Sequence, residues 1–165
     1  LYKDAKPLWG RQYEQVWKLT GNTATGKIAA VVCDSFANWT VCDNGADWQT
    51  HCDTLISSLA YSDSGRSLVA TFKNDGFWDV VVNDRAWGLR ADKLWAPVLS
   101  EDDSVVATRM EEKGRYYLVV NGTVHPEGFD QMFEPAVSPA GDKIMIKAVK
   151  DGMYYRRIIP VDQVI

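Results

Sequence analysis

Apolar and polar residues follow one another in short runs that end at turn residues, a pattern that is typical of β-strands. Leu68 to Phe72 is an apolar run, Asn74-Asp75-Gly76 is a hairpin signal, and Phe77 to Val82 is a second apolar run. Similar pairs of runs flank Glu112-Lys113-Gly114 and Lys150-Asp151-Gly152. No segment of 10 or more residues has helical periodicity, so the pattern predicts an all-β chain.

A second set of turns recurs with a period of 38 or 39 residues. Its members are Thr23-Ala24-Thr25-Gly26, Ser62-Asp63-Ser64-Gly65, Ser100-Glu101-Asp102-Asp103 and Ser138-Pro139-Ala140-Gly141, and an apolar run follows each of them. A period near 40 with four strands in each period predicts β-propeller-type repeats, in which each repeat forms one four-stranded blade. A β-sandwich of short strands is the competing fold, but it gives no reason for a fixed interval.

The seven tryptophans follow the same period and fall into three columns, which are sets of residues at equivalent repeat positions. The columns are Trp9, Trp48, Trp87 and His125; Trp39, Trp78, Tyr116 and Tyr154; and Trp17, Ile56, Trp95 and Phe133. We expect the second column to pack between blades. The tryptophans of the other two columns lie near strand ends, which makes them candidates for a partner surface: Trp9, Trp17, Trp48, Trp87 and Trp95. The alternative is that all of them pack between blades.

The period places a single β-propeller-type domain over residues 1–165, with about four blades. The predicted blades are residues 17–55, 56–94, 95–132 and 133–165, and residues 1–16 are the tail strand of a preceding or closing blade, because Leu8-Trp9-Gly10 matches Ala86-Trp87-Gly88. An open array would leave its end strands exposed. We therefore expect a small closed ring, part of a larger propeller in a longer parent chain, or a dimer of half-propellers.

The recurring turns resemble those of the WD40-like and TolB-like β-propeller repeats, whose signature is Ser-Pro-Asp-Gly followed by a polar residue and an apolar strand. Ser138-Pro139-Ala140-Gly141 is the closest copy, and the resemblance covers about residues 17–165. The Gly-His and terminal Trp-Asp pairs of WD40 blades are missing. The resemblance implies the fold and says little about activity, because propellers carry many unrelated functions. The tryptophan columns also resemble the tryptophan-rich soluble subunit of transmembrane electron-transfer complexes of sulfate-reducing bacteria.

Charge and composition narrow the classes of partner. The chain has 22 acidic and 18 basic residues, a net charge of −4, so it lacks the basic footprint of a nucleic-acid-binding protein. No apolar run approaches the roughly 20 residues that span a bilayer. Cys33, Cys42 and Cys52 have the spacing of no known metal or haem motif. They are expected to be small apolar residues in a reducing compartment, although a disulfide between two of them is the alternative. We expect a cytoplasmic protein. Partner subunits could hold it at the cytoplasmic face of a membrane.

No residue pattern indicates a catalytic, cofactor or metal site. The Gly-x-Ser-x-Gly and Ser-x-x-Lys patterns of nucleophilic enzymes do not occur, and His51 and His125 are the two histidines. His51 precedes a cysteine and an aspartate, but neighbours in a strand point to opposite faces, which disfavours shared metal ligation. Asp53, Asp92 and Asp130 form a further column, and we expect their carboxylates to anchor turns by hydrogen bonds.

Repeats without catalytic motifs predict a non-catalytic protein-interaction or scaffold module. Such a module is expected to be a subunit of a larger assembly, and its partners are other proteins or further copies of itself. A membrane-bound redox complex is one example of such an assembly. A ligand-binding propeller is the first alternative, for example one whose exposed tryptophans stack on sugar rings. The second alternative is the propeller lid of a hydrolase whose catalytic domain lies outside this chain.

Overall fold

The structure is a computed structural model that describes residues 2–3 and 6–165. Throughout these residues, short apolar runs between turn residues form β-strands. Two strands, β1 (Tyr2–Lys3) and β2 (Lys6–Pro7), pair with each other. All other strands form four antiparallel sheets, each from one consecutive stretch of chain, and none of these sheets is closed. The prediction of an all-β chain is confirmed.

The four sheets follow one another in sequence order. The first contains β3 (Gln15–Gly21), β4 (Ile28–Ser35), β5 (Asn38–Asp43) and β6 (Ala46–Asp47), and the second contains β7 (Leu55–Tyr61), β8 (Leu68–Asn74), β9 (Phe77–Val82) and β10 (Arg85–Ala86). The third contains β11 (Lys93–Leu94), β12 (Val98–Leu99), β13 (Val106–Glu112), β14 (Arg115–Val120) and β15 (Thr123–Val124). The fourth contains β16 (Gln131–Met132), β17 (Ala136–Val137), β18 (Lys143–Lys150) and β19 (Met153–Pro160), and a 3-10 helix, Val161–Gln163, follows.

The leading strand of each sheet is interrupted at the same repeat position. The pairing of β3 with β4 shifts between Trp17 and Thr20, and that of β7 with β8 shifts between Ile56 and Ser58. In the third and fourth sheets the same interruption divides the leading strand into two short strands, β11 and β12 on β13, and β16 and β17 on β18. The column of Trp17, Ile56, Trp95 and Phe133 therefore lies at an irregularity that bends the strand and re-aims its side chains.

The hydrophobic core is divided into layers between neighbouring sheets. Val31 and Val41 of the first sheet pack with Ile56 and Leu68 of the second, and comparable clusters join the second sheet to the third and the third to the fourth. Strands such as β4 are apolar on both faces because one face packs on the preceding part of the chain and the other on the next sheet. The sheets are therefore stacked in the order in which they occur in the sequence.

Polar contacts between the recurring turns also join neighbouring sheets. The buried Asn22 donates from Nδ2 to the carbonyl oxygens of Ser62 and Asp63, at 2.9 and 3.0 Å. One repeat later, Ser64 and Arg66 donate to the carboxylate of Asp103, the Arg66 Nε at 2.9 Å. The recurring turns thus lie close to one another, which explains why small and polar residues recur there.

The aspartate column anchors hairpins, as the sequence predicts. The carboxylates of Asp53, Asp92 and Asp130 accept hydrogen bonds from the first backbone N–H of the hairpin turn in their own sheet, donated by Asp75 at 3.2 Å, Lys113 at 2.7 Å and Asp151 at 2.7 Å. All three donors have positive φ. The prediction of a structural role for this column is confirmed.

Glycine at position 65 is required both by backbone conformation and by contact between sheets. Gly65 has φ +70°, and a Cβ built there would lie 2.8 Å from Thr25 Oγ1 and 2.9 Å from Asn22 Cγ. We expect Gly65→Ala to lower the free energy of unfolding by about 3 kcal/mol, since the left-handed backbone costs about 1 kcal/mol and overpacking costs about 2 more. Urea denaturation measures this difference.

The matched control is Gly76→Ala in a hairpin of the same sheet. Gly76 has φ +80° and nothing within 4 Å of an added Cβ, so only the backbone cost of about 1 kcal/mol applies. Equal losses for the two variants would contradict the close approach of the first and second sheets at Gly65.

Candidate interaction surface

Each sheet is preceded in the chain by a segment that carries a residue of the first tryptophan column. We call these segments connectors, and number them in chain order: the first is residues 7–13, the second 46–52, the third 85–91 and the fourth 123–129. In the second to fourth connectors a two-residue strand pairs with the preceding strand of its sheet. The next residue donates its N–H to that strand: Trp48 to Val41, Trp87 to Val80 and His125 to Leu118, at 2.8, 2.9 and 2.8 Å. The last residue of each of these three connectors forms an isolated β-bridge with the start of the same strand: Cys52 with Trp39, Ala91 with Trp78 and Phe129 with Tyr116.

The aromatic side chains of the connectors pack on the next sheet. Trp48 is 5% exposed and stacks on Phe72 of the second sheet, with ring centroids 6.2 Å apart. Trp87 is half-buried and packs against Gly122 of the third sheet, where an added Cβ would lie 3.3 Å from Trp87 Cγ. A connector therefore joins two sheets, because its backbone lies on the edge of one and its side chain packs on the other.

The first connector packs its aromatic side chains on a sheet in the same way, but its backbone lies on the edge of none of the four sheets in the described chain. Trp9 packs against Gly45 of the first sheet, and Trp9 and Tyr13 cover the buried cluster of Ala30, Val32 and Cys42. The Tyr13 hydroxyl and Arg11 Nη1 both donate to the Asp47 carboxylate at 2.5 Å. Within the described part of the chain its strand β2 pairs with β1 alone, so the backbone of the first connector completes none of the four sheets.

The two remaining candidate tryptophans lie on the leading strands. Trp17 is 41% exposed and contacts Trp39 edge-to-face, with centroids 6.2 Å apart. Trp95 is half-buried, lies 5.6 Å from the Tyr116 ring and carries the Arg109 guanidinium 4.5 Å above its own ring. The five tryptophans singled out in the sequence do not form one patch, since Trp48 and Trp87 pack between sheets, Trp9 packs on the first sheet alone, and Trp17 and Trp95 belong to different sheets.

Exposed large apolar side chains belong to the two end sheets or to the residues joined to them. The set is Val16, Trp17, Leu19, Phe36, Phe133, Met153, Tyr154, Ile158 and Ile165. The second and third sheets contribute none of these because both of their faces are covered. Exposed apolar area of this kind, confined to particular faces, marks candidate interaction sites.

One such area is the outer face of the fourth sheet, which we call the C-terminal face. It consists of three residues of β19 and their cross-strand partners in β18: Tyr154 with Val149, Arg156 with Lys147, and Ile158 with Met145. Tyr154 is 61% exposed and Ile158 67% exposed. The face is therefore apolar at both ends and cationic in the middle.

Tyr154 corrects one sequence expectation. Trp39, Trp78 and Tyr116 of the same column pack against the next sheet, as predicted. The prediction is wrong for Tyr154, because no further sheet follows in the described chain and its ring remains exposed. The outer edge of β19 is likewise free of any strand or connector among the described residues.

A small cavity lies beside Trp95. It has a volume of about 130 Å³ and is lined by Trp95, Ala96, Arg109, Glu134 and Pro135. Arg109 donates from Nη1 to the Met132 carbonyl at 2.6 Å, whereas its buried Nε has no hydrogen-bond partner. The cavity is smaller than the roughly 300–1,000 Å³ of sites for drug-sized ligands.

The cysteines are buried free thiols. Cys33, Cys42 and Cys52 are 2%, 0% and 3% exposed. Burial raises the pKa of the Cys52 thiol to about 12 and also raises the pKa of Cys42. Because the thiolate is the reactive form, neither thiol is activated as a nucleophile near neutral pH.

The histidines lie apart from one another. His51 is exposed, and its Nδ1 lies 2.8 Å from the Gln49 carbonyl oxygen, whereas the half-buried His125 accepts at Nδ1 from the Glu127 N–H at 3.2 Å. The residues that the structure describes contain no group of three or more His, Cys, Asp or Glu side chains placed to hold a metal ion.

The described residues also include no helix of the length and apolarity needed to cross a membrane. Comparison with known proteins assigns the chain to no family, since neither a protein-family model nor a curated protein matches it.

Proposed function

We propose that this chain is a non-catalytic protein-interaction module built from β-propeller-type repeats. The observation that carries the proposal is the C-terminal face, which is open although the equivalent faces of the other three sheets are covered. Tyr154 and Ile158 supply large exposed apolar surface there, and Arg156 supplies a planar group that forms hydrogen bonds. Tyr and Arg are residues that dominate the binding energy of protein interfaces.

The repeat architecture supports a propeller assignment. Four sheets place equivalent residues at equivalent positions and stack in sequence order, and their turns resemble those of WD40-like and TolB-like repeats. In a propeller, each blade must cover both of its faces and protect its edges, and the described sheets meet the same two requirements except at the fourth sheet. We propose that a partner protein covers the C-terminal face, in a cytoplasmic assembly. The resemblance to the tryptophan-rich soluble subunit of electron-transfer complexes makes a membrane-bound redox complex the first assembly to examine.

Affinity purification of the tagged chain from the cells that make it tests this proposal. We expect a polypeptide, either a second copy or another protein, to be recovered in about equimolar amount. The variant Ile158→Lys adds a third cation to the C-terminal face and is expected to lower that recovery at least tenfold. Ile158 is 67% exposed, so the substitution leaves the core intact.

The matched control is Phe36→Lys, at a side chain that is 96% exposed in a hairpin of the first sheet. It removes a similar apolar side chain and adds the same charge away from the C-terminal face, so recovery of the partner should equal that of the unmodified chain. Recovery of no polypeptide with the unmodified chain, or equal recovery with Ile158→Lys, would overturn the proposal.

A ligand-binding module is the second candidate. It rests on the cavity beside Trp95, where an aromatic face and the buried, unpartnered Nε of Arg109 lie together. Titration of intrinsic tryptophan fluorescence with a panel of glycans at millimolar concentration discriminates the two candidates. A saturable change that is lost in Trp95→Phe favours ligand binding, and no change in the unmodified chain counts against it.

A further inference from the structure

The outer edge of β19 lacks what the corresponding edge has in every other sheet. In the first three sheets the corresponding strand is edged by a connector at three positions, namely the Trp39, Cys42 and Asp43 columns. The fourth-sheet members of these columns are Tyr154, Arg157 and Ile158. The earlier sheets turn back at Asn44-Gly45, Asn83-Asp84 and Asn121-Gly122, whereas β19 continues through Ile159 to Pro160, so residues 161–165 do not return along this edge.

The first connector has the opposite deficit. Its residues occupy the same columns as the other connectors: Pro7 matches Ala46, Trp9 matches Trp48, and Tyr13 matches Cys52. Its aromatic side chains already pack on the first sheet, as those of the other connectors pack on theirs. Its backbone, however, edges none of the four sheets in the described chain, where its one strand pairing is that of Pro7 with Tyr2 of β1. The described residues thus contain one connector without a sheet edge and one sheet edge without a connector.

We propose that the first connector of one copy pairs with the outer edge of β19 in a second copy of this chain, and that two copies do so reciprocally. The inference rests on the proposed function and names its partner as a second copy. Pairing of an exposed strand edge with an extended segment gives affinity through main-chain hydrogen bonds. Because each copy has one donor segment and one acceptor edge, a two-fold axis satisfies both and closes the pair.

The second and third connectors fix the register of this contact. The Trp9 N–H takes the place of the Trp48 and Trp87 N–H groups and donates to the Arg156 carbonyl of the second copy, and Tyr13 bridges Tyr154. Pro7 lies opposite Ile158, as Ala46 lies opposite Asp43. Pro7 has no N–H to donate, so the first N–H that the connector donates to this edge is that of Trp9.

A second copy fits this edge better than the chain's own first connector. Trp9 and Tyr13 hold the connector on the first sheet, and in the described chain no strand pairing or hydrophobic cluster joins the first sheet to the fourth. Pairing of two fourth sheets face to face is disfavoured as well, because it would bring Lys147 and Arg156 of both copies together on a two-fold axis.

Cross-linking of the 165-residue chain tests the register directly. In Pro7→Cys with Ile158→Cys, both new thiols replace exposed side chains, whereas the three native thiols are buried. Paired residues in an antiparallel ladder have Cα atoms about 4.5–5.5 Å apart, which suits a disulfide. Mild oxidation is expected to convert most of the double variant to a covalent dimer, at twice the 18.5 kDa of one chain on a denaturing, non-reducing gel.

The matched control pairs Ile158→Cys with Phe36→Cys, which places the thiol in the same sheet that holds the first connector but away from the edge. We expect at least tenfold less covalent dimer from this control. An internal disulfide at the mass of one chain, equal dimer from the control, or no cross-link would each overturn the proposal. Sedimentation equilibrium of the unmodified chain should give twice the monomer mass, and a monomer at tens of micromolar would also overturn it.

Failure of this inference is distinguishable from failure of the proposed function. A monomeric chain that nevertheless recovers a different protein through the C-terminal face would remove the second copy and leave the interaction module. A chain that recovers no polypeptide and forms no cross-link would remove both.

Discussion

Phe129→Ala is expected to lower the free energy of unfolding by about 4 kcal/mol, because it removes a large, fully buried side chain and leaves a cavity. Phe129 is 0% exposed and heads the fully buried side chains in volume. It ends the fourth connector, bridges Tyr116 through the backbone and packs with Met132 and Ile144 between the third and fourth sheets. Urea denaturation followed by tryptophan fluorescence measures the loss.

Phe133→Ala is the matched control, since it makes the same chemical change four residues later at a side chain that is 45% exposed. A loss below about 1 kcal/mol is expected there, because little apolar area leaves a buried site. If the two variants lose equal stability, the fourth connector does not join the third and fourth sheets in the way the structure shows.

The repeat could be predicted from the sequence because stacking equivalent sheets imposes equivalent contacts. The aspartate column is the clearest case, since in the second to fourth sheets the carboxylate in front of the leading strand accepts a hydrogen bond from the hairpin turn of its own sheet. The column of Trp39, Trp78 and Tyr116 is another, because each ring faces the next sheet. Period and residue type were sufficient for both.

Exposure at the ends of the stack could not be predicted from residue type alone. Tyr154 is exposed because the described chain provides no sheet to cover it, and a column by itself does not say where a stack ends. One signal was present in the sequence. Val41, Val80 and Leu118 are 0% exposed, and the next member of their column is Arg156. A charged residue in a column of buried apolar residues indicates a face that the chain itself leaves uncovered.

How deeply the residues of the first tryptophan column are buried could not be predicted from the sequence either. Trp48 is buried because sheets lie on both sides of its connector, whereas Trp9 is half-buried because the first connector has a sheet on one side only. The same residue type at the same repeat position therefore serves as core in one place and as partly exposed surface in another. The number of sheets that lie next to the residue decides whether it is core or surface. This number depends on how the sheets are arranged and not on the residue type.

Raising the pH above about 9 is expected to destabilise the chain steeply, because the buried Cys52 and the half-buried Tyr13 and Tyr61 keep their protons in the folded state. Burial raises the pKa of Cys52 from 9.0 to about 12. Burial, reinforced by hydrogen bonds to Asp47 and Asp43, raises the pKa values of Tyr13 and Tyr61 above the usual 10.0. Between the unfolded and folded pKa values the unfolded chain binds fewer protons than the folded chain, so the free energy of unfolding falls as pH rises.

The stabilisation from Cys52 is complete below pH 9 and is lost as the pH rises to about 12, over which a change of up to about 4 kcal/mol is expected. Urea denaturation at pH 7.5, 9.5 and 10.5 measures the loss, and Cys52→Ala should make the decline shallower because one of the three acids is gone. A free energy of unfolding that stays constant from pH 7.5 to 10.5 would contradict the burial of these groups.

The same measurement also tests self-association through Tyr13. Tyr13 lies in the first connector, and in a single chain a sheet covers only one side of that connector. If the connector pairs with a second copy, a chain at concentrations that favour the pair should resist alkali to higher pH than the same chain when dilute.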